Sequence, residues 1–368
     1  MKKCRAGTAK RDCPVIIGAI EKNNEPAPLA VVDPCDSDAP GNRPWRAHHK
    51  AIRMTVKRHM NSTTQQQYAS LRSAWIAQAQ ASPGTALGLG VALLAVLWLL
   101  VASGANALEG ERDGLRYALY GGFAGFAATS VGAFLAVALR QISTRTQDTM
   151  LGFAAGMMLA ASAFSLLLPG LDAAQSLTGN NLMGAGTVVL GLALGVLLML
   201  GLDRFTPHEH ESIGPCGPDS DRINRVWLFV FAVTLHNLPE GMAIGVGFAG
   251  GDMTVGVPLA TAISIQDIPE GLAVALALRT TGLSALASAM VAAASGVMEP
   301  LGALVGAGMS TGYALAYPVS MGLAAGAMIF VVSHEIIPET HRHGHQTSAT
   351  LGLMGGFAVM MFLDTALG

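Results

Sequence analysis

Lysine runs out early in this chain of 368 residues: the last one is Lys57. A phosphate-binding loop of the Walker type needs lysine in a Gly-Lys-Ser/Thr run, so that route to ATP-driven work is excluded. Charge of either sign is scarce, with Asp, Glu, Lys and Arg at 12% of the chain against the roughly 25% of soluble domains. Cysteine is nearly absent. Cys4, Cys13 and Cys35 fall in the first tenth of the chain and Cys216 far beyond them. None is spaced as a zinc knuckle or a redox pair, so no disulfide or cysteine-metal framework is available. The net charge of -2 selects no class of partner.

What is present is long apolar sequence. A membrane span needs about 20 apolar residues, and nine stretches qualify, near 86–108, 117–139, 150–169, 182–202, 226–249, 254–278, 283–308, 311–332 and 349–367. They are rich in Gly and Ala, as expected where helices pack closely without a hydrophobic effect between them. The boundary between the seventh and eighth is weakly marked, because Gly306 to Gly312 carries little polarity. The fold class is therefore an all-α polytopic membrane protein. Orientation follows from arginine. With residues 1–85 on the cytoplasmic side, the inner loops hold Arg140, Arg145, Arg204, Arg222, Arg225, Arg279 and Arg342, and the outer loops hold Arg112 and Arg116. The C-terminus then lies outside.

Residues 1–59 mix Pro, Asn, Asp and scattered charge without a sustained period, and read as a disordered extension. Met60 opens a more typical start, so this extension also reads as a mis-assigned beginning of the chain. Residues 60–108 form a polar lead and the first span. Ser103-Gly104-Ala105-Asn106-Ala107 offers a second reading of that span, as a signal core followed by a small-residue cleavage site. The apolar run is long for a signal core, which favours a retained span.

Two spans carry one motif at mid-length. The fifth contains His236-Asn237-Leu238-Pro239-Glu240-Gly241, and the sixth contains Gln266-Asp267-Ile268-Pro269-Glu270-Gly271. The seventh adds Met298-Glu299-Pro300. Glu240, Asp267, Glu270 and Glu299 thus sit deep in apolar helices that offer no Lys or Arg to pair with them. An acid at the bilayer centre costs about 2.5–3.5 kcal/mol, so four left uncompensated cost on the order of 10–14 kcal/mol. That rivals the whole stability of a typical protein. A bound dication removes the difficulty directly.

Spacing agrees. His236 and Glu240 stand at i, i+4 on one helix face, and Gln266 and Glu270 repeat that geometry with Asp267 one residue round. Pro239 and Pro269 each clash with the carbonyl four residues earlier, predicting a kink at the ligands. A freed carbonyl at membrane depth is tolerated where it faces protein or a wet cavity. Small polar residues also make plain helix–helix hydrogen bonds in membranes, which accounts for a lone Asn or Gln but not for four unpartnered acids in a repeated motif. Carboxylates alone suit calcium or magnesium. An imidazole moves the preference to zinc, iron, cobalt, nickel or manganese, and a thioether such as Met157 or Met158 to softer ions. An imidazole ligates only when neutral and a carboxylate only when ionised, so binding competes with protons.

The pair His-Asn-x-Pro-Glu-Gly and Gln-Asp-x-Pro-Glu-Gly, with Met-Glu-Pro and the late His334-Glu335, resembles the ZIP family of metal transporters, particularly its bacterial branch. The resemblance runs from about residue 60 to the C-terminus. It implies an eight-span bundle over 109–368 with one extra N-terminal span ahead of it, in a bacterial cytoplasmic (inner) membrane. It further implies ATP-independent zinc uptake into the cytoplasm, with cadmium also accepted and iron or manganese as further substrates, and a homodimer with an elevator-like motion. Zinc is then cargo rather than a catalytic cofactor, and the protein is not an enzyme.

The resemblance also implies a binuclear site. His236, Glu240, Gln266 and Glu270 would hold one ion, with Met158 as an added ligand. Asn237, Asp267 and Glu299 would hold the second, with Glu240 and Glu270 bridging. Many relatives have His-Asn where this chain has Gln266-Asp267, which makes the second site here more anionic. Asp172 and Asp364 near outer span ends would guide ions inward, although helix-end solvation accounts for them as well. His334 and Glu335 would receive departing metal. His208 and His210 in the His-containing loop 203–225, and His341, His343 and His345 in a later loop, read as low-affinity metal tracts with a sensing or exit role, or else as solvated loops.

Two other functions compete with this one. An intramembrane zinc protease needs H-E-x-x-H on a helix, and His334-Glu335-Ile336-Ile337-Pro338 has proline where the second histidine belongs. A metal sensor that does not transport would not need the duplicated proline-bearing motif. Nothing in residues 1–59 has a metal spacing or a membrane role. Deleting them is therefore expected to leave zinc uptake per protein molecule unchanged, as measured by isotope flux normalised to inserted protein; a clear fall in that flux would contradict the assignment.

Overall fold

The computed structural model describes residues 71–109, 112–139, 142–206, 208–210, 214–216, 225–249, 251 and 253–367. The extension 1–59 and the start of the polar lead lie outside the described residues. The helices are α1 (Leu71–Ala81), α2 (Pro83–Glu109), α3 (Arg112–Ala138), α4 (Thr144–Ala160), α5 (Leu168–Thr178), α6 (Asn181–Phe205), α7 (Arg225–Ala249), α8 (Met253–Thr280), α9 (Ala285–Ser295), α10 (Met298–Ser310), α11 (Ala316–Val331), α12 (Ile337–Thr340) and α13 (Gln346–Leu367). Eight stretches among the described residues are long and apolar enough to cross a membrane. Helix α7, of 25 residues, packs among them and carries the His236 motif. The fold is an all-α polytopic bundle, with strand among the described residues only in a two-stranded ribbon of β1 (His208–His210) and β2 (Gly214–Cys216) inside the 203–225 loop.

Three spans differ from their expected outline. The third runs from 144 to 178, because α4 and α5 are joined by a π-helical segment, Ala161–Leu167. The eighth begins at Ala316 and continues to Thr340 through a second π segment, Val332–Ile336. Each π segment precedes a proline at the start of the next helix, Pro169 and Pro338. Proline has no N–H to return to the preceding turn, and a wider turn accommodates that loss. The seventh span is two helices, because the backbone turns at Gly296 and Val297, where Glu299 N donates to Gly296 O at 3.0 Å. By contrast Pro239 and Pro269 lie inside helices that run on unbroken.

Glycine sets how closely the helices approach. In three pairs, glycines four residues apart on one helix face glycines four apart on the other. Gly152 and Gly156 of α4 oppose Gly352 and Gly356 of α13. Gly191 and Gly195 of α6 oppose Gly322 and Gly326 of α11, and Gly241 and Gly245 of α7 oppose Gly302 and Gly306 of α10. A Cβ at any of these positions would fall on a carbonyl oxygen of the partner helix. Gly132 of α3 and Gly271 of α8 make a fourth crossing of the same kind. Such contact is what small-residue spacing allows in a membrane, where dispersion and close backbone approach replace the hydrophobic effect.

The extra span α2 docks on α6 and α10. Ser103 is buried and its hydroxyl donates to Met309 O at 3.1 Å, while the Trp98 and Tyr313 rings meet at 5.0 Å. The residue that opens the alternative cleavage site is therefore a packing contact. Gly195→Leu is expected to force α6 off α11, at about 1–3 kcal/mol or more for overpacking. A Cβ at Gly186 on the same helix meets nothing within 4 Å, so Gly186→Leu serves as control. Thermal unfolding in detergent should fall by several degrees for the first and stay level for the second.

Candidate metal centre

Three helices and one neighbour bring the repeated motif together. Helix α7 supplies His236, Asn237 and Glu240, α8 supplies Gln266, Asp267 and Glu270, and α10 supplies Glu299 in its first turn. The glycines of the motif make this convergence close. Gly241 abuts the backbone of Glu299, and Gly271 abuts the carbonyl of Thr129 on α3. Asn237, Glu240, Gln266, Asp267, Glu270 and Glu299 are all buried, and His236 is half-buried.

Carboxylate oxygens of Glu240, Asp267 and Glu299 lie within 4.8 Å of one another. Gln266 Nε2 donates to Glu240 Oε1 at 2.8 Å, and Thr129 Oγ1 donates to Glu299 Oε1 at 2.6 Å. Five further buried atoms of the cluster are left open. Asn237 Nδ2, Gln266 Oε1, Asp267 Oδ2, Glu270 Oε2 and Glu299 Oε2 are buried without a hydrogen-bond partner. Each such atom costs about 1–3 kcal/mol, more when charged. Four of the five are acceptors, and turning the Asn237 amide, whose N and O are assigned rather than observed, would make it five. Convergent acceptors, with the arginines of these helices confined to their ends, make a candidate cation site. Carboxylate, amide oxygen and imidazole together suit a transition dication that also accepts hard ligands.

Met158 is buried in the main apolar cluster with Met157, Met242 and Ile244. It takes no part in the hydrogen bonds that join the carboxylates. His236 Nδ1 faces Glu335 Oε2 at 3.2 Å, so the first histidine of the motif is tied to the second π segment. From here a cavity of about 330 Å³ leads away from the cluster. Its walls include His236, Glu270, Glu335, Glu339, Asp148 and His343. It ends among the ends of α4, α8 and α12, the side on which Arg145, Arg279 and Arg342 lie.

Two acids that the sequence did not single out stand near this passage, Asp148 on its wall and Asp203 beside Glu335. Asp203, buried near the end of α6, offers an oxygen within 4.8 Å of ligand atoms of His334 and Glu335. His334 is exposed and stacks on Phe330 at 4.9 Å. Asp148 is buried, and its two oxygens lie 3.0 Å from His343 Nδ1 and 2.8 Å from His345 Nδ1. His341 is turned to Ile337 O at 2.8 Å. Both Asp203 and Asp148 lie near helix ends, where an acid reads as solvated; a buried acid is distinguishable only once the neighbouring helix is placed. At the other face, Asp364 accepts from Ser165 at 2.6 Å, and Asp172 is exposed on α5. Neither lines the cavity. His208 and His210 pair through the backbone with Cys216 and Gly214 in the ribbon.

A family model described as ZIP Zinc transporter matches residues 216–364. The chain is 68% identical over 301 residues to the zinc transporter ZIPB of Bordetella bronchiseptica, covering 82% of this chain and 97% of that protein. It is 40% identical over 242 residues to the zinc transporter GufA of Myxococcus xanthus, covering 66% and 95%. The human zinc transporter ZIP11 is 32% identical over 332 residues, covering 68% and 97%.

The geometry makes Glu240 the member shared by both motif faces, since it meets Gln266 directly and lies with Asp267 and Glu299. Glu240→Ala is expected to weaken zinc binding to the detergent-solubilised protein by more than the roughly 10–100-fold that loss of an outer-shell partner costs. The readout is equilibrium dialysis; wild-type affinity in a folded variant would remove Glu240 from the ligand set.

Proposed function

The chain belongs to the ZIP family of zinc transporters, and we propose that it carries zinc through the membrane by way of two adjacent ion sites at the crossing of α7, α8 and α10. The observation that carries this reading is the buried cluster of unpartnered acceptors at the head of a cavity that reaches one membrane face. His236, Glu240, Gln266 and Glu270 hold the first ion, with Met158 as a further ligand. Asn237, Asp267 and Glu299 hold the second, and Glu240 and Glu270 bridge the two. Asp267 gives the second site one more negative charge than an asparagine would, which favours hard divalent ions there.

The cavity opens on the arginine-rich side, which the positive-inside rule assigns to the cytoplasm. Ions leave the cluster past Glu335, His334 and Asp203 toward Asp148 and the histidines of the 341–345 turn. Asp172 and Asp364 serve the approach from outside. No Walker lysine is present, so flux follows the electrochemical gradient. A dication entering down 100 mV gains about 4.6 kcal/mol, twice the ~2.3 of one elementary charge. That equals more than three tenfold steps in concentration at about 1.4 kcal/mol each. Cadmium, iron and manganese satisfy the same donor set, and the assembly is a homodimer in a bacterial cytoplasmic membrane.

The test is zinc isotope uptake into proteoliposomes under an inside-negative potassium diffusion potential. Uptake should scale with the potential, and Glu240→Ala should fall to the level of empty vesicles. Asp267→Asn should retain flux with a changed preference among zinc, cadmium and manganese. Flux insensitive to the potential, or near-normal flux with Glu240→Ala correctly inserted, would defeat the proposal.

A further inference from the structure

The second ion site has a wall that belongs to none of the motif helices. It is α3, and two of its residues face the cluster one turn apart. Thr129 is buried and donates its hydroxyl to Glu299 Oε1 at 2.6 Å. Gly125 stands where a side chain would collide with Glu299 Oε2 and would lie 3.1 Å from Asp267 Oδ2. Those two oxygens are among the buried atoms without a partner. The missing Cβ therefore forms a notch at which both orphaned oxygens converge, while the neighbouring hydroxyl holds the other oxygen of Glu299 away.

Thr129 is itself held rigidly. Its carbonyl is the atom that a Cβ on Gly271 of α8 would strike, and its own Cβ would be 3.2 Å from a Cβ on Gly296, at the turn between α9 and α10. Contact of its backbone with α8 and of its Cβ with the α9–α10 turn limits how far its hydroxyl can follow a rotating carboxylate. A hydrogen bond to a charged acceptor is worth about 1.5–3 kcal/mol, roughly twice a neutral one. Glu299 is thus kept to one free oxygen.

That constraint has a consequence for ion choice. Zinc prefers four ligands in tetrahedral array, each carboxylate giving a single oxygen. Larger dications take more ligands and accept carboxylates through both oxygens. We propose that Thr129 is a positioning residue that sets the selectivity of the second site: by occupying Oε1 it holds Glu299 as a one-oxygen ligand and disfavours large ions, while Gly125 keeps the space that the ion needs. The inference rests on the two-ion reading given above.

Thr129→Val keeps the volume and removes the donor, and Thr129→Ser keeps the donor. Full-length protein in detergent would be dialysed against zinc or cadmium to obtain stoichiometry and affinity, and uptake of both ions measured in proteoliposomes from an equal mixture. Thr129→Val should raise the cadmium-to-zinc ratio roughly tenfold in both assays, the order expected from losing one charge-assisted bond. Thr129→Ser should match the wild type. Gly125→Ala should bind one ion in place of two, with thermal unfolding confirming a folded chain. A wild-type ratio in Thr129→Val, with two ions still bound, overturns the role of Thr129 and leaves the two-ion reading standing. A wild-type protein that binds a single ion, or binding indifferent to Asp267→Ala, overturns the two-ion reading and this inference with it.

Discussion

Four carboxylates buried two turns or more from the nearest arginine of their own helices impose the constraint on which the rest of this architecture depends. In lipid every polar group must find its partner inside the protein. The chain meets that demand for its backbone through helices, and for most side chains through bonds to the preceding turn, as with Ser162 to Met158 O or Ser310 to Gly306 O. At the crossing of α7, α8 and α10 it leaves acceptors open instead. A site built to release what it binds cannot carry its own permanent counter-charge. Under the proposed function, the counter-charge that the chain does not supply is left to the transported cation.

Close helix approach is what makes such a cluster buildable. Carboxylates on three helices meet within 4.8 Å only because Gly241 lets α10 lie on the backbone of α7, and Gly271 lets α3 lie on α8. Each glycine directly follows a motif glutamate, so the residue that offers charge and the residue that permits contact are adjacent in sequence. The same device recurs in the α4–α13 and α6–α11 pairs, where no acid lies at the contact. There it serves packing alone. Those two pairs and the α3, α7, α8 and α10 group are each bound internally by glycine crossings, and the cavity runs between them, with α4 and α12 on one wall and α7 and α8 on the other. The tightest contacts lie within the groups and the open space between them, which is the arrangement that relative movement of the groups requires.

Much of this was legible in the sequence because it depends on period and composition. The nine apolar runs are mainly helical, the seventh as two helices and the eighth from Ala316 on, and the repeated motif sits where its spacing placed it, with His236 and Glu240, and Gln266 and Glu270, each on one face. Other features were not legible. The continuation of the third span to Thr178 and of the eighth to Thr340 arises from π turns ahead of Pro169 and Pro338, which single-sequence periodicity reads as helix ends. The ribbon at His208 to Cys216 is too short to show alternation. Asp148, Asp203 and Thr129 gave no local signal, since each acquires its role from a residue 100 or more positions away in the chain or from a helix that only packing brings near.

The two π segments share a position that bears on transport. One follows Met158 and carries Ser165, whose hydroxyl reaches Asp364; the other carries His334 and Glu335, and Glu335 reaches His236. They thus lie toward opposite ends of the bundle from the carboxylate cluster, each contributing a polar contact where an α-helical turn would aim that residue elsewhere. A π turn is held by poorer hydrogen bonds than an α turn, and it persists where a function repays the difference. An inserted residue rotates everything beyond it by about 100° relative to an unbroken helix, which follows from 3.6 residues per turn. Return to α geometry in the second segment would swing Glu335 off His236 and turn Glu339, further along the same span, away from the cavity it lines. The passage seen on the arginine-rich side therefore depends on the registry of this one turn as much as on the spacing of the helices.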